Sequence, residues 1–179
     1  MNLLGDWSTV FASLALLMGL GVYIDALAPA NVLSVACMYY FLDTLRALYI
    51  QKGVPWQVIH HLGAIFGFVA FLDAKVLLYE SALLLAGFEL STFSMNLSDR
   101  LTSPQGKQLC HYTFLLSTVS CRIGGSLYLL PRLWRVAGPT AITFSILAVC
   151  GIVTHNIAYI RAKQAVSRGA KIDLVALFG

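Results

Sequence analysis

Six apolar runs, each close to the length of a bilayer-spanning helix, leave this chain few ways to fold. They cover residues 8–27, 30–50, 56–72, 76–97, 108–130 and 139–160, and a helix crossing a bilayer needs ~20 mostly apolar residues. Between them lie short polar or Pro-bearing segments: DALAPAN with Pro29, KGVP with Pro55, DAK, SDRLTSPQGK and PRLWRVAGP. Of the 179 residues, 59% are hydrophobic and 11% charged, where an ordinary soluble domain carries roughly 25% charged residues. One soluble core of this length could not hide so much apolar surface. The expectation is a single all-α domain over residues 1–179, a polytopic transmembrane bundle of six helices.

The charges describe its topology. With six spans, the termini and the loops after the second and fourth runs share one side. That side holds Lys52, Arg100, Lys107, Arg161, Lys163, Arg168 and Lys171, against Lys75, Arg132 and Arg135 opposite. The positive-inside rule then places both termini in the cytoplasm. Trp7, Trp56 and Trp134 fall at the expected interfaces. The net charge of +4 is accounted for by helix ends and anionic headgroups; no basic patch interleaved with aromatics points to nucleic acid. Cys37, Cys110, Cys121 and Cys150 lie in or beside apolar runs without disulfide or metal spacing, and read as small core residues. The N-terminus carries Asp6 and no basic residue, so the first run reads as a retained helix rather than a signal peptide. Asn96-Leu97-Ser98 is formally a glycosylation sequon, expected to go unused on the cytoplasmic side.

Polar residues inside a bilayer are costly and are functional candidates by default. Placed by depth at ~1.5 Å per residue, Asp43, His60, His61, Glu89, His111, His155 and Asn156 fall in one slab of the cytoplasmic half, from five helices. Arg46 lies one turn from Asp43, near enough for a local ion pair. Arg122 sits deeper, past the midplane of the fifth helix, as a lipid-binding group or a lock on helix carbonyls. His111, Thr118 and Arg122 share one expected stripe; Ala82, Ala86, Glu89 and Asn96 share another. Gly63 and Gly67 form GxxxG, a helix-packing pattern.

His60 and His61 carry the strongest signal. Neighbouring helical residues point ~100° apart, so the pair is ill suited to one metal ion, and no metal site is expected. The two can divide labour instead. One faces a cavity as nucleophile or general base; the other faces a neighbouring helix and is held by a carboxylate. Glu89, on the hairpin partner of the third helix, is the first candidate for that carboxylate, and Asp43 the second. Haem ligation wants histidines on facing helices, and transport wants a half-to-half repeat with broken helices; neither pattern is present.

HHLGAIFGF opening one helix, followed by LLAGFELSTFSMNL on the next, resembles the TLC-domain family of membrane proteins, which includes the ceramide synthases. His60 and His61 match the pair that opens the HHxxT motif. Glu89-Leu90-Ser91-Thr92 stands where the family's DxSD-type segment stands, and CRIGG and THNIAYI loosely fit its later helices. The resemblance runs from about Met38 to Arg161. Ala64 replaces the motif threonine and Thr92 the second acid, pointing away from ceramide synthesis itself. The resemblance implies a smaller lipid acyltransferase with His60, His61, Glu89 and Asp43 in the catalytic group and His111, Arg122, His155 and Asn156 toward lipid. It implies acyl-CoA as co-substrate with no resident cofactor, membrane lipids as partners, a homodimer as one assembly, and an endoplasmic-reticulum or other endomembrane location in a eukaryote. The alternative it implies is a non-enzymatic protein that binds or senses membrane lipid.

Overall fold

The structure, a computed structural model, describes residues 3–49, 55–136 and 138–167. It is all-helical, with no strand among the described residues. Among the described residues six helices succeed one another: α1 (Leu3–Tyr23), α2 (Pro29–Tyr49), α3 (Pro55–Ala74), α4 (Leu78–Arg100), α5 (Pro104–Leu133) and α6 (Pro139–Ser167). Pro29, Pro55, Pro104 and Pro139 each supply the first helical residue, where a missing N–H costs nothing and the fixed φ is already helical. The Ser103 hydroxyl caps α5 by accepting from the Gly106 N–H at 3.3 Å. The α3–α4 turn is tight enough to hold Lys75 and Leu77 at φ 53° and 54°, in the left-handed region.

Several helix bounds differ from the sequence expectation: α1, expected over residues 8–27, spans Leu3–Tyr23. α5 begins four residues earlier than expected and runs on to Leu133 through Pro131. It contains a π-helical stretch, Thr118–Gly125. α6 continues past Ile160 to Ser167. Pro104–Leu133, 30 residues, is the one helix among the described residues long and apolar enough to cross a membrane by length and composition. Trp7–Tyr23, Val58–Ala74 and Ser145–Ala158 are shorter apolar helical stretches.

The helices close a ring in the order α1–α2–α3–α6–α5–α4, and α2 also touches α4 across its interior. Sequence neighbours α3 and α4 barely meet; α3 packs on α2 and α6 instead. The α2–α4 contact divides the ring. On one side Phe11, Ala15, Met18, Val22, Val32, Leu33, Ala36, Ala82 and Leu85 make a closed core. On the other side, among α3, α4, α5 and α6, the small residues of α3 leave a cavity.

Small residues set the approach of α4 to its neighbours. Gly19 of α1 lies directly against Ala86, so the expected Ala82/Ala86 stripe does admit a neighbouring helix. Gly87 lies against Cys121 of α5: a Cβ there would sit 2.5 Å from the Cys121 Sγ and 2.9 Å from its Cβ. At the other end of the α1–α4 contact, the Asn96 amide donates to Ser8 Oγ at 2.8 Å and Thr9 Oγ1 at 3.1 Å. The sequon asparagine is thus taken up by packing. Gly87→Ala should destabilise the bundle by about 1–3 kcal/mol through overpacking, and adding Cys121→Gly should restore most of the loss. Thermal unfolding of the purified protein tests this; an unchanged midpoint in Gly87→Ala would refute the close approach.

Candidate functional site

Polar side chains meet where α2 crosses to α4. Tyr40 is buried on α2, one turn before Asp43, and its hydroxyl donates to the Glu89 Oε1 at 2.7 Å. α4 spans Leu78–Arg100, so Glu89 lies at its midpoint, deeper than the slab expected from sequence. The π-helical stretch of α5 turns Arg122 toward the same place. Its Nε donates to the Phe88 carbonyl at 3.2 Å, and its terminal nitrogen to Thr92 Oγ1 at 2.6 Å. The Thr92 hydroxyl also engages Glu89, and the Arg122 charge acts on that carboxylate. A π-bulge inserts one residue and rotates the helical turns after it; here it delivers a cation to the interior of an otherwise apolar helix. Arg122 therefore bonds a helix carbonyl, the lock weighed from sequence, and is also tied to Thr92 beside Glu89.

The second group lies toward the α3 N-terminus. Asp43 Oδ1 is 2.8 Å from Arg46 Nε, one turn along α2. Asp43 Oδ2 is 3.6 Å from His61 Nε2, an ion-pair separation rather than a hydrogen bond. The carboxylate beside His61 is thus Asp43, the second candidate, and Glu89 is engaged by Tyr40 instead. The reason is topological: α3 packs on α2, not on its hairpin partner. Tyr40 joins the two groups, its ring centroid 5.3 Å from that of His61 and 6.2 Å from that of His60.

His60 points elsewhere. It lies on the wall of the cavity, of ≈ 90 Å³, with Tyr40, Gly63, Ala64, Gly67, Phe68 and Phe71 below it. Five of these form one stripe of α3, at spacings of three and four residues. Phe88, Leu129, Leu130, Leu133 and Val149 complete an apolar lining broken by Ser126 and Ser145. The expected division between adjacent histidines is realised: His60 on a cavity, His61 buried against α2. Gly63 and Gly67 also open the space into which His60 looks, a role beyond helix packing.

The remaining expected residues separate. His111 is exposed, against Tyr112 at 6.2 Å. The buried stripe of α5 runs through Cys110, Phe114 and Ser117, and His111 is turned ~100° from Cys110, so it does not join Thr118 and Arg122. Asn156 is buried on α6. The side chain of His155 lies outside the described residues, as does Lys52. Among the described residues no group of acids, cysteines and histidines could hold a metal ion. Sequence reasoning missed Tyr40, though a tyrosine one turn from an aspartate in an apolar helix needs a hydroxyl partner once buried. No protein-family model, curated protein or solved structure matches the chain.

Tyr40→Phe removes the donor to Glu89 and leaves a buried carboxylate short of a partner, a loss of about 1–3 kcal/mol. Glu89→Gln keeps an acceptor for Tyr40 and should cost less. Unfolding midpoints of the purified proteins check both; equal stability of Tyr40→Phe and the wild type would mean the contact contributes nothing.

Proposed function

We propose that the chain is a multi-pass membrane protein of lipid metabolism, a lipid acyltransferase that uses the His60/His61 pair with an acyl-CoA donor. The membrane part of this reading is supported by large apolar side chains on the outside of the bundle together with polar ones inside it. Asp43, His61, Glu89, Ser81, Ser91, Ser94 and Asn156 are buried, while large apolar side chains face outward. Val10, Leu14, Leu17 and Leu20 form such an outer face on α1, and Leu109, Leu116, Val119 and Leu127 on α5, with Leu17 and Leu116 exposed by 66% and 72%. In water such faces would be covered; against lipid they are already at home, and the interior is where polar groups find partners.

One observation carries the catalytic part: His60 stands at the polar head of an apolar cavity while its neighbour His61 is buried beside Asp43. An acyl chain would lie along Gly63, Gly67 and Phe71, with its carbonyl at His60. The imidazole attacks the thioester carbonyl, the C–S bond breaks, and the CoA thiolate leaves and takes up a proton. The acceptor's hydroxyl or amine then attacks the acyl-imidazole carbon, the C–N bond breaks, and the acceptor's proton returns to the imidazole. Asp43 holds His61 beside Tyr40, so these groups position the cavity's head rather than touch the acyl group. Arg100 and Lys107, near the same end of the bundle, suit the phosphates of CoA.

A second reading is favoured by a separate observation: neither Asp43 nor Glu89 lines the cavity, and both are engaged with internal partners. The protein would then hold a lipid without turning it over. Transfer of labelled acyl-CoA to lipid acceptors in proteoliposomes separates the two. The acyltransferase reading expects a loss of roughly 10²–10⁴-fold in His60→Ala and a smaller loss in Asp43→Asn. Full transfer by His60→Ala would sink it, and a co-purifying intact lipid with no turnover would establish the binding protein in its place.

A further inference from the structure

Hydroxyls on the helices of this chain have a habitual partner. Ser13, Ser34, Ser94, Ser117 and Ser120 each donate to the carbonyl four residues back, at 2.7–2.8 Å. Thr44, Thr113 and Thr143 do the same. Ser145 departs from this pattern. It is 7% exposed, and its Oγ is buried with no hydrogen-bond partner. Ser81 and Thr118 also hold buried, unpartnered hydroxyls, but neither lines the cavity, and Ser145 does. Its oxygen faces Gly67, where an added Cβ would lie 3.5 Å from it, and Gly67 belongs to the cavity wall as well.

We propose that the cavity selects a lipid chain carrying an oxygen part-way along its length, and that the Ser145 hydroxyl recognises it; this rests on the reading that the cavity holds a chain. Gly67 lies two turns along α3 from His60, a distance of ~10 Å, so the recognised oxygen is mid-chain and not at the reacting end. Ser126 strengthens the placement. It lies on the cavity wall shortly before the end of α5, as Ser145 lies shortly after the start of α6, so the short α5–α6 turn sets both hydroxyls at one level. Everything else that lines the cavity at that depth is apolar. A plain acyl chain would leave the Ser145 hydroxyl buried and unsatisfied; a chain bearing a hydroxyl there would satisfy it.

The experiment is displacement of radiolabelled palmitate from the purified full-length protein by stearate, 9-hydroxystearate and 17-hydroxystearate. The wild type should prefer 9-hydroxystearate over the other two by roughly two- to ten-fold. Ser145→Ala should erase that preference by bringing 9-hydroxystearate to the level of stearate, and Ser145→Thr should retain it. Equal displacement by all three acids, a preference that survives in Ser145→Ala, or no binding of palmitate would overturn the proposal. The assay contains no thioester. Loss of acyl transfer with the preference intact therefore refutes the acyltransferase reading alone, and acyl transfer without the preference refutes this one alone.

Discussion

The hydrogen bond from Tyr40 to Glu89 is the contact on which the interior depends. A carboxylate buried at the midpoint of a helix is costly unless its lone pairs are used. Glu89 meets this with Tyr40 from α2, Thr92 from its own helix and the charge of Arg122 from α5. Three helices are thereby tied at one level. The tie also explains the ring's asymmetry. Because α2 is drawn across to α4, the α1 side closes into a solid core and the α3–α6 side keeps the cavity.

Arg122 meets Phe88 and Thr92 of α4 from an irregular part of α5. In a continuous α-helix the register that buries Phe114 and Ser117 would carry the later residues around at ~100° each. The π-helical stretch from Thr118 to Gly125 resets that phase. The glycines at its end fit the same account: a Cβ on Gly125 would sit 2.6 Å from Leu84 Cδ2. The close approach of α5 to α4 and the inward turn of Arg122 thus depend on one local departure from regular helix. Such departures recur at sites where a side chain must be re-aimed.

Helix number and most helix starts were legible in the sequence because apolar length and proline position are local signals. Pro55 and Pro139 open helices where expected, and the third helix's two histidines diverge as helical geometry requires. The π-helical stretch was not legible, since TVSCRIGG reads as ordinary helix, and with it went the phase of α5 and the placement of His111. The partner of His61 was misjudged for a different reason. Hairpin connectivity suggested α4, but ring closure put α2 beside α3, and chain order alone does not say which. Tyr40 and Ser145 were hidden because tyrosine and serine are common in apolar helices and acquire meaning only from what they face.

The two adjacent histidines sit on a boundary that this packing creates. His61 faces the α2 side, where Asp43 and Arg46 supply charges, and His60 faces the α3–α6 side, where the wall is almost wholly apolar. One helix can serve two such different surroundings because neighbouring residues leave it in directions ~100° apart. Tyr40 lies between the environments, its ring against both imidazoles and its hydroxyl on Glu89. A change at Glu89 can therefore reach the cavity without any acid lining it: the shift passes through the seat of one aromatic ring. The chemistry proposed for His60 requires the cavity to stay dry and its head to stay fixed, and the α2–α4 tie supports both at once.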